Sequence, residues 1–325
     1  MNNILLCSAG RRSTLIKYLR DSLKEKGKIV VTDCNNTAPA LYFADKGYIV
    51  PKIYDSNYID VILDICVKEH IKAITTLIDP ETVVLSINKK LFDNHGILLL
   101  TPDEDSSKLC LDKYNMYEYL VQNNIKTIKT YNEFDIFVKD LENKEINFPV
   151  FVKPRFGSGS VGSMKVQTLN ELNFLFNNTQ EFIIQEYMDG IDISVDAYID
   201  VFSKKVVSIF CKKKLETKIG GANKTISFRD NILNEFIERI NSIFNFYGPI
   251  DLDLFLCNGE YYLSEINPRF GGSYLHAYNT NIDFIPLIIE NINQNCNKPV
   301  FYDYEEDIVM MMHDDVIVCK KDSLL

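Results

Sequence analysis

The stretch that most restricts what this chain can fold into is residues 251–269, DLDLFLCNGEYYLSEINPR. Apolar and polar residues alternate along both arms, and between them stands Asn258-Gly259, a dipeptide suited to the two positive-φ positions of a tight hairpin turn. The segment therefore reads as two antiparallel strands. Alternate strand residues share a face, so Glu265 and Asn267 point the same way and Asp253 can oppose them across the pair. Two carboxylates and an amide oxygen converging there make a hard, oxygen-only site, suited to a Mg²⁺ ion that keeps several waters and binds nucleotide phosphates. Arg269, next door, adds a phosphate-seeking guanidinium. The alternative is an edge hairpin whose charges face solvent, and the hairpin alone does not decide between the two.

A second segment bears on that choice. FVKPRFGSGSVG, residues 151–162, places glycines at 157, 159 and 162, literally G-x-G-x-x-G. A dinucleotide fingerprint needs a strand before the glycines and a helix directly after them. Here the glycines are followed by SMKVQ, a strand. The loop therefore joins two antiparallel strands and lies over a ligand as a flap, with bare backbone amides along Gly157, Ser158, Gly159, Ser160 and Gly162 turned to phosphate oxygens. A plain flexible turn would need no ligand, but Lys153 on the incoming strand supplies a fixed positive charge beside the flap. Further on, FIIQEYMDGIDISVD is a strand that ends at Glu186-Tyr187-Met188, with Asp192 beyond the next turn. Such a strand end offers free backbone groups to a base edge, and the acid can accept from hydroxyls. Alone, a simple strand–turn–strand would explain it equally well.

Composition narrows the classes. The chain has 325 residues, 46% of them hydrophobic and 25% charged, with a formal net charge of −10. That is globular composition, and its acidity argues against a nucleic-acid partner. Eight cysteines stand singly with no C-x-x-C, as expected of reduced thiols rather than a zinc site. No apolar run reaches membrane-span length, and the N-terminus lacks signal-peptide pattern, so a soluble, cytoplasmic protein without membrane partners is expected.

The first hundred residues alternate strand and helix. NILLCSA, KIVVTD, KAITTLI and ILLLT are strands, and STLIKYLRDSLKEKG, YIDVILDICVKEH and DPETVVLSINKKLFDNHG are helices. This alternation gives a parallel sheet covered on both faces. From about Asp105 a helix over SSKLCLDKYNMYEYLVQNN leads into mixed α+β, and the basic stretch CKKKLETKIGGANKT reads as a loop over 213–224 that closes with the flap. In the N-terminal unit, CSAGRRS follows strand one and Asp33 ends strand two, which resembles a dinucleotide site. That turn has one glycine where three are expected.

The order of parts is more specific than any one of them. Strand lysine, glycine flap, Q-E-Y-M-x-G-x-D, basic loop and then D…E-x-N-P-R resembles the ATP-grasp superfamily over essentially the whole chain, most nearly a single module similar to half of the carbamoyl-phosphate synthase large chain. The resemblance implies an α/β and α+β fold, with a Rossmann-like pre-ATP-grasp domain over 1–104, a small ATP-grasp lobe over 105–188 and a large lobe over 189–325. It implies that Lys113 and Lys153 contact ATP phosphates, that Glu186, Tyr187 and Met188 frame the adenine, and that Asp192 takes the ribose, where glutamate is more usual. It implies that Asp253, Glu265 and Asn267 hold two Mg²⁺ ions (Mn²⁺ suits the same ligands) and that Arg269, Lys214 and Lys218 serve the transfer. The implied activity is an ADP-forming ligase that activates a small carboxylate as acyl phosphate and joins it to an amine, acting on small molecules and often dimerising through its first domain.

The acceptor pocket is expected between the N-terminal unit and the metal hairpin. Arg11 and Arg12 stand at a helix start, Asp79 and Glu81 at the end of a parallel strand, and Gly271 and Gly272 after the metal motif. For the two acids, a helix-start role is an equal reading. Rival functions are an NAD-dependent oxidoreductase, weakened by the single glycine; a kinase-like phosphotransferase, which would need H-R-D and D-F-G; and a non-catalytic ATP sensor, which could dispense with the metal set.

Overall fold

Five parallel strands open the chain: β1 (Asn3–Cys7), β2 (Ile29–Asp33), β3 (Lys46–Ile49), β4 (Ile71–Thr76) and β5 (Leu98–Leu99), in the order β3-β2-β1-β4-β5. The computed structural model describes residues 1–157, 162–176, 181–218 and 221–325. Strands β1 and β2 are buried along their whole length, and alternate residues serve opposite faces. Ile4, Leu6, Ile29 and Val31 pack with Leu15, Ile16 and Leu19 of α1 (Ser13–Leu23), whereas Leu5, Cys7 and Val30 pack with Tyr58, Ile62 and Ile65 of α2 (Tyr58–Lys68). The doubly wound sheet expected from the alternation is present, with one strand more than the apolar runs suggested. Strand β3, KGYI, is a half-exposed edge with no apolar run to announce it.

Two helices read as continuous are each divided. The segment after Asp79 forms α3 (Asp79–Ile87) and α4 (Lys89–Asn94), parted at Asn88, whose side chain donates to the Val84 carbonyl. The segment after Asp103 forms α5 (Glu104–Leu111) and α6 (Lys113–Gln122), parted at Asp112. The Asp112 carboxylate accepts from the amides of Tyr114 and Asn115, capping a new helix, and pairs with both the Nε and NH2 groups of Arg155 at 2.8 and 2.6 Å. The break makes Lys113 the first residue of α6.

A four-stranded sheet follows, made of β6 (Thr130–Tyr131), β7 (Val150–Pro154), β8 (Met164–Val166) and β9 (Phe182–Glu186) in the order β6-β9-β7-β8, with α7 (Phe134–Glu142) and α8 (Leu169–Phe176) supplying its core. Strands β7 and β8 are antiparallel, so the glycine segment joins a hairpin as its context required. Ser158, Gly159 and Ser160 lie outside the described residues.

The third sheet has the order β14-β13-β10-β11-β12-β15, from β10 (Ile191–Ile199), β11 (Val206–Lys218), β12 (Gly221–Phe228), β13 (Gly248–Cys257), β14 (Glu260–Asn267) and β15 (Val309–Met311). One face is apolar: Ile193, Val195, Ile209, Leu252 and Leu254 bury against Leu233, Ile237 and Ile240 of α9 (Asn231–Asn241). Of the stretch 213–224, expected as a loop, residues 213–218 and 221–224 instead belong to the antiparallel strands β11 and β12, with Lys214 opposite Thr225; backbone pairing overrides the run of lysines. After the metal motif, α10 (Tyr274–Asn279) and α11 (Ile285–Ile292) return to the N-terminal sheet, and Phe270, Tyr274 and Phe284 enter the core under α1. Among the described residues no helix is long and apolar enough to cross a membrane.

Leu252 is fully buried at the centre of the third sheet's core. Leu252→Ala is expected to cost about 2–5 kcal/mol, seen as a lower urea midpoint with an unchanged denaturant slope.

Candidate functional site

A cleft of about 760 Å³ opens between the four-stranded and six-stranded sheets. From the smaller sheet and its loops come Phe151, Lys153, Gly157 and the Gln185–Gly190 segment; from the larger come Asp192, Lys214, Asp253, Phe255 and Glu265; Lys113 joins from the start of α6. Strand periodicity explains the set. Asp192 precedes the buried Ser194 and Asp196 on one face of β10, and Asp253 and Phe255 alternate along β13. Asp253 is paired directly with Glu265 across the hairpin, whose turn holds Asn258 at φ 51° and Gly259 at φ 80°.

Charges in the cleft are already balanced against one another. Lys214 Nζ lies 2.7 Å from Asp253 Oδ1 and 3.0 Å from Asp192 Oδ1. Burial alone would lower the Lys214 pKa, but Asp253 and Asp192 carry it above its ordinary value. Burial pushes Asp192 upward, opposed by Lys214. Lys153 is buried and its pKa is lowered by that burial, while Glu265 at 3.9 Å works to keep it charged. Lys113 Nζ donates to the Gly157 carbonyl at 2.5 Å, tying the helix start to the entrance of the flap. Lys165 Nζ sits 3.7 Å from the ring centre of Tyr187 at the rim.

Behind the cleft lies a second, closed cluster. Arg269 meets Asp79 at 2.9 Å through both Nε and NH2, and its NH2 also donates to Asn267 Oδ1 at 3.1 Å. Burial opposes the charge on Arg269, but Asp79, together with Asp251 and Glu265, more than compensates and raises its pKa. Asp251, opposite Asn267 in the hairpin, is raised to about 7 by burial and by neighbouring Asp253 and Asp196. Lys212 and Asp196 form a fully buried ion pair. Next to them His276 accepts or donates through Nδ1 to Thr225 Oγ1 at 2.8 Å, and burial plus Lys212 lower its pKa to about 4. Gly271 is required here, since a Cβ would stand 2.5 Å from Asp196 Oδ1 and 2.9 Å from Asp251 Oδ1.

With this geometry in view, the comparisons with known proteins are specific. A family model for the ATP-grasp domain matches residues 110–273, and one for the PylC-like N-terminal domain matches residues 4–100. The chain belongs to the ATP-grasp family. It is similar to the phosphoribosylamine–glycine ligase of Fusobacterium nucleatum, 26% identical over 283 residues that cover 76% of this chain and 64% of that protein. It is 23% identical to the carbamoyl phosphate synthase large chain of Thermoanaerobacter sp. over 245 residues, 70% of this chain and 22% of the other. The chain thus spans less than two thirds of these relatives' own length. Among solved structures, the N5-carboxyaminoimidazole synthetase of Staphylococcus aureus in complex with ADP has the same fold, with a TM-score of 0.76, 19% identity, and coverage of 95% of this chain and 82% of that one.

The structure separates the sequence-derived ATP-grasp site residues. Lys113, Lys153, Gly157, Glu186, Tyr187, Met188, Asp192, Lys214, Asp253 and Glu265 line the cleft. Asn267, Arg269, Asp79 and Gly271 meet in the closed cluster behind it, and Arg12 reaches the Phe270 carbonyl beside them. Arg11 and Lys218 are exposed and lie 3.7 and 3.8 Å from the two oxygens of Asp314 in the tail. Gly162 has φ 77° at the far end of the flap, and Gly272 has open space where a side chain would stand. Glu81 is buried and accepts from Tyr58 and, at 2.5 Å, from Thr76, away from Arg269. Among the described residues no group of three or more His, Cys, Asp or Glu side chains is poised for a metal; the hairpin offers two carboxylates and an amide oxygen.

Sequence reasoning missed the apolar walls Ile128, Phe151 and Phe255, and the buried acids Asp196 and Asp251. Phe255 and Asp251 were within reach, because each stands two residues from Asp253 on its own strand face.

Burial raises Glu81 to about 8, offset by Ser8 and reinforced by Asp33. The folded state therefore keeps a proton that the unfolded chain releases near pH 4.3, so stability falls as pH rises between those values, by up to about 1.4 kcal/mol per unit. Glu81→Gln is expected to flatten that fall in denaturant titrations run from pH 5 to 8.

Proposed function

We propose that the protein is an ATP-dependent, ADP-forming ligase that activates a small carboxylate as acyl phosphate and transfers the acyl group to an amine. The observation that carries this reading is the facing pair Asp253–Glu265, which opens into one cleft with three lysines, Gly157 and apolar walls. The donor set fits Mg²⁺: both carboxylates are hard oxygen ligands, partly exposed to the cleft at 29% and 21% of their side-chain surface. Asp253, Glu265 and Asn267 would hold two Mg²⁺ ions, which when bound neutralise charge on the phosphates.

The chain's own residues account for the remainder. Ile128, Phe151, Met188 and Phe255 offer a dry slot for a flat base, and Glu186 and Met188 lie where β9 leaves its sheet, offering backbone groups to the base edge. Asp192 accepts from ribose hydroxyls once Lys214 lets it go. Lys113 and Lys153 place fixed positive charge beside the flap, toward the phosphates. A carboxylate oxygen of the substrate attacks the γ-phosphorus and ADP leaves; an amine nitrogen then attacks the acyl carbon, phosphate departs, and the nitrogen loses a proton. No protein nucleophile takes part. The flap and the β11–β12 hairpin close over the cleft and keep water from the acyl phosphate. Arg269 faces the transferred group from the inner end.

The test is a screen of carboxylate–amine pairs for Mg²⁺-dependent phosphate release, with ADP as the expected nucleotide product; AMP would replace this mechanism by adenylation. In a pair that turns over, Glu265→Gln is expected to reduce phosphate release at least about 100-fold with an unchanged thermal midpoint. Full activity in that variant would remove the metal assignment. Lys153→Ala is expected to weaken ATP binding by about tenfold or more, since charge-assisted contacts to phosphate are worth that much; calorimetric titration with ATP measures it.

A further inference from the structure

The two lysines proposed for the phosphates belong to different bodies of the fold. Lys153 stands on β7, whose Val150 and Val152 pack in the core of the four-stranded sheet. Lys113 opens α6, whose Met116 and Leu120 pack with Ile193, Val195 and Leu252 in the core of the six-stranded sheet. Tyr119 of the same helix donates to the Ile243 carbonyl at 2.5 Å, which fixes α6 to that body. Burial is the main depressor of the Lys153 pKa and Lys113 adds to it, so the two ammonium groups are near neighbours. Like charges brought together from separate bodies repel, and their convergence needs an attraction of its own. Arg155 supplies it. Two residues beyond Lys153, it continues the β7–β9 pairing by donating its amide to the Glu181 carbonyl at 2.9 Å. Its guanidinium donates to the Asp112 carboxylate through Nε at 2.8 Å and NH2 at 2.6 Å, and NH2 also reaches Asn115 Oδ1 at 3.2 Å. Its carbonyl accepts from the Lys113 amide at 3.3 Å. One residue beside the smaller sheet therefore grips the start of α6 by side chain and by backbone. The pair is sheltered, with 22% and 10% of the Arg155 and Asp112 side-chain surfaces exposed, whereas Glu181 stands 3.8 Å from Arg155 and is 68% exposed.

We infer that Arg155 is a positioning residue, whose forked pair with Asp112 locks the start of α6 to the end of β7 and so holds Lys113 and Lys153 together for one set of phosphates. The lock follows from geometry; its service to phosphates rests on the nucleotide reading of the cleft. A bidentate pair fixes direction as well as distance. Asp112 also caps α6 through the amides of Tyr114 and Asn115, so a shift of Arg155 passes directly to the first turn, where Lys113 stands. Among the described residues that line the cleft Arg155 has no place, and it acts through Asp112 and Lys113.

The experiment is calorimetric titration of MgATP into the full-length wild type and its variants, with adenosine binding followed in parallel by ligand-observed NMR. Arg155→Met and Asp112→Asn are each expected to weaken MgATP by about tenfold. Asparagine keeps the cap of α6 and loses only the charge pair. Arg155→Lys is expected to lose less, since it restores the charge without the fork. Adenosine, which carries no phosphate, is expected to bind every variant as it binds wild type. In a Lys113→Met background, adding Arg155→Met is expected to cost clearly less than it does alone, because the lysine it positions is gone. Four results would each overturn the proposal. Wild-type MgATP affinity in Arg155→Met or in Asp112→Asn would show that the pair positions nothing. An equal loss for adenosine would reduce the arginine to a structural role. A fully additive loss in the Lys113→Met background would place the guanidinium on the phosphates or on the fold at large. If adenosine binds too weakly to follow, the Lys113 cycle decides alone. If Arg155→Met fails to fold, as judged by its thermal transition, Arg155→Lys takes its place: wild-type affinity for MgATP overturns the proposal and a loss that vanishes in Lys113→Met supports it. Failure of wild type to bind MgATP would refute the nucleotide reading and the proposal with it, whereas binding that ignores Arg155 refutes the proposal alone.

Discussion

The central sheet is divided by its two-residue period into a face that excludes water and a face that carries charge. Ile193, Val195, Leu252 and Leu254 go to the core under α9, while Asp192, Asp196, Asp251 and Asp253, their immediate neighbours, go to the other side. Four acids on two adjacent strands would repel one another and lose hydration, so the arrangement stands only if cations sit within one strand spacing. Strand β11 supplies them. Lys212 meets Asp196, and Lys214 meets Asp192 and Asp253. Lys153, from the other sheet, approaches Glu265. The site therefore consists of charges whose positions are set by backbone pairing, which is why its geometry precedes any ligand.

The same logic ties the N-terminal sheet to the metal hairpin. Asp79, first residue of α3, holds Arg269, and Arg269 holds Asn267. Around this polar join, Phe270, Tyr274 and Phe284 pack into the core beneath α1. An apolar contact alone would let the two units slide; the hydrogen bond from Arg269 NH2 to Asp79 Oδ2, with Nε 2.9 Å from Oδ1 beside it, adds direction. The inner end of the cleft is thereby fixed relative to the parallel sheet, and Arg12 reaches the Phe270 carbonyl across the same join.

What could be read from the chain, and what could not, follows from the range of each interaction. The hairpin at 251–267 was legible because its turn residues and its alternation are local, and the flap's context was legible because a strand follows its glycines. The division at Asp112 was not, since the residue that makes it useful, Arg155, lies 43 positions away. Strand β3 has little apolar character and exists by pairing with β2. The lysine-rich 213–218 stretch looked like a loop because the acids that answer Lys214 lie on other strands, a fact no local window contains. The site was legible in its acids and in the lysines of its flap. Its apolar walls, and the separation of Arg11 from Arg12, depend on which surfaces the fold brings together.

Lys214 shows how a resting site of this kind can stay both stable and available. One ammonium group bridges the acid proposed for the ribose and the acid proposed for the metal, so neither is left as an uncompensated buried charge. Entry of a magnesium nucleotide would bring a cation to Asp253 and hydroxyl donors to Asp192 together, and each acid would exchange one partner for another without passing through an unpaired state. A guanidinium at this position would hold both carboxylates by directed pairs and resist the exchange, whereas an ammonium on a four-carbon stem is a point charge that can turn away toward incoming phosphate. A lysine here therefore suits the proposed site, in which both acids must be given up to the incoming nucleotide and its metal.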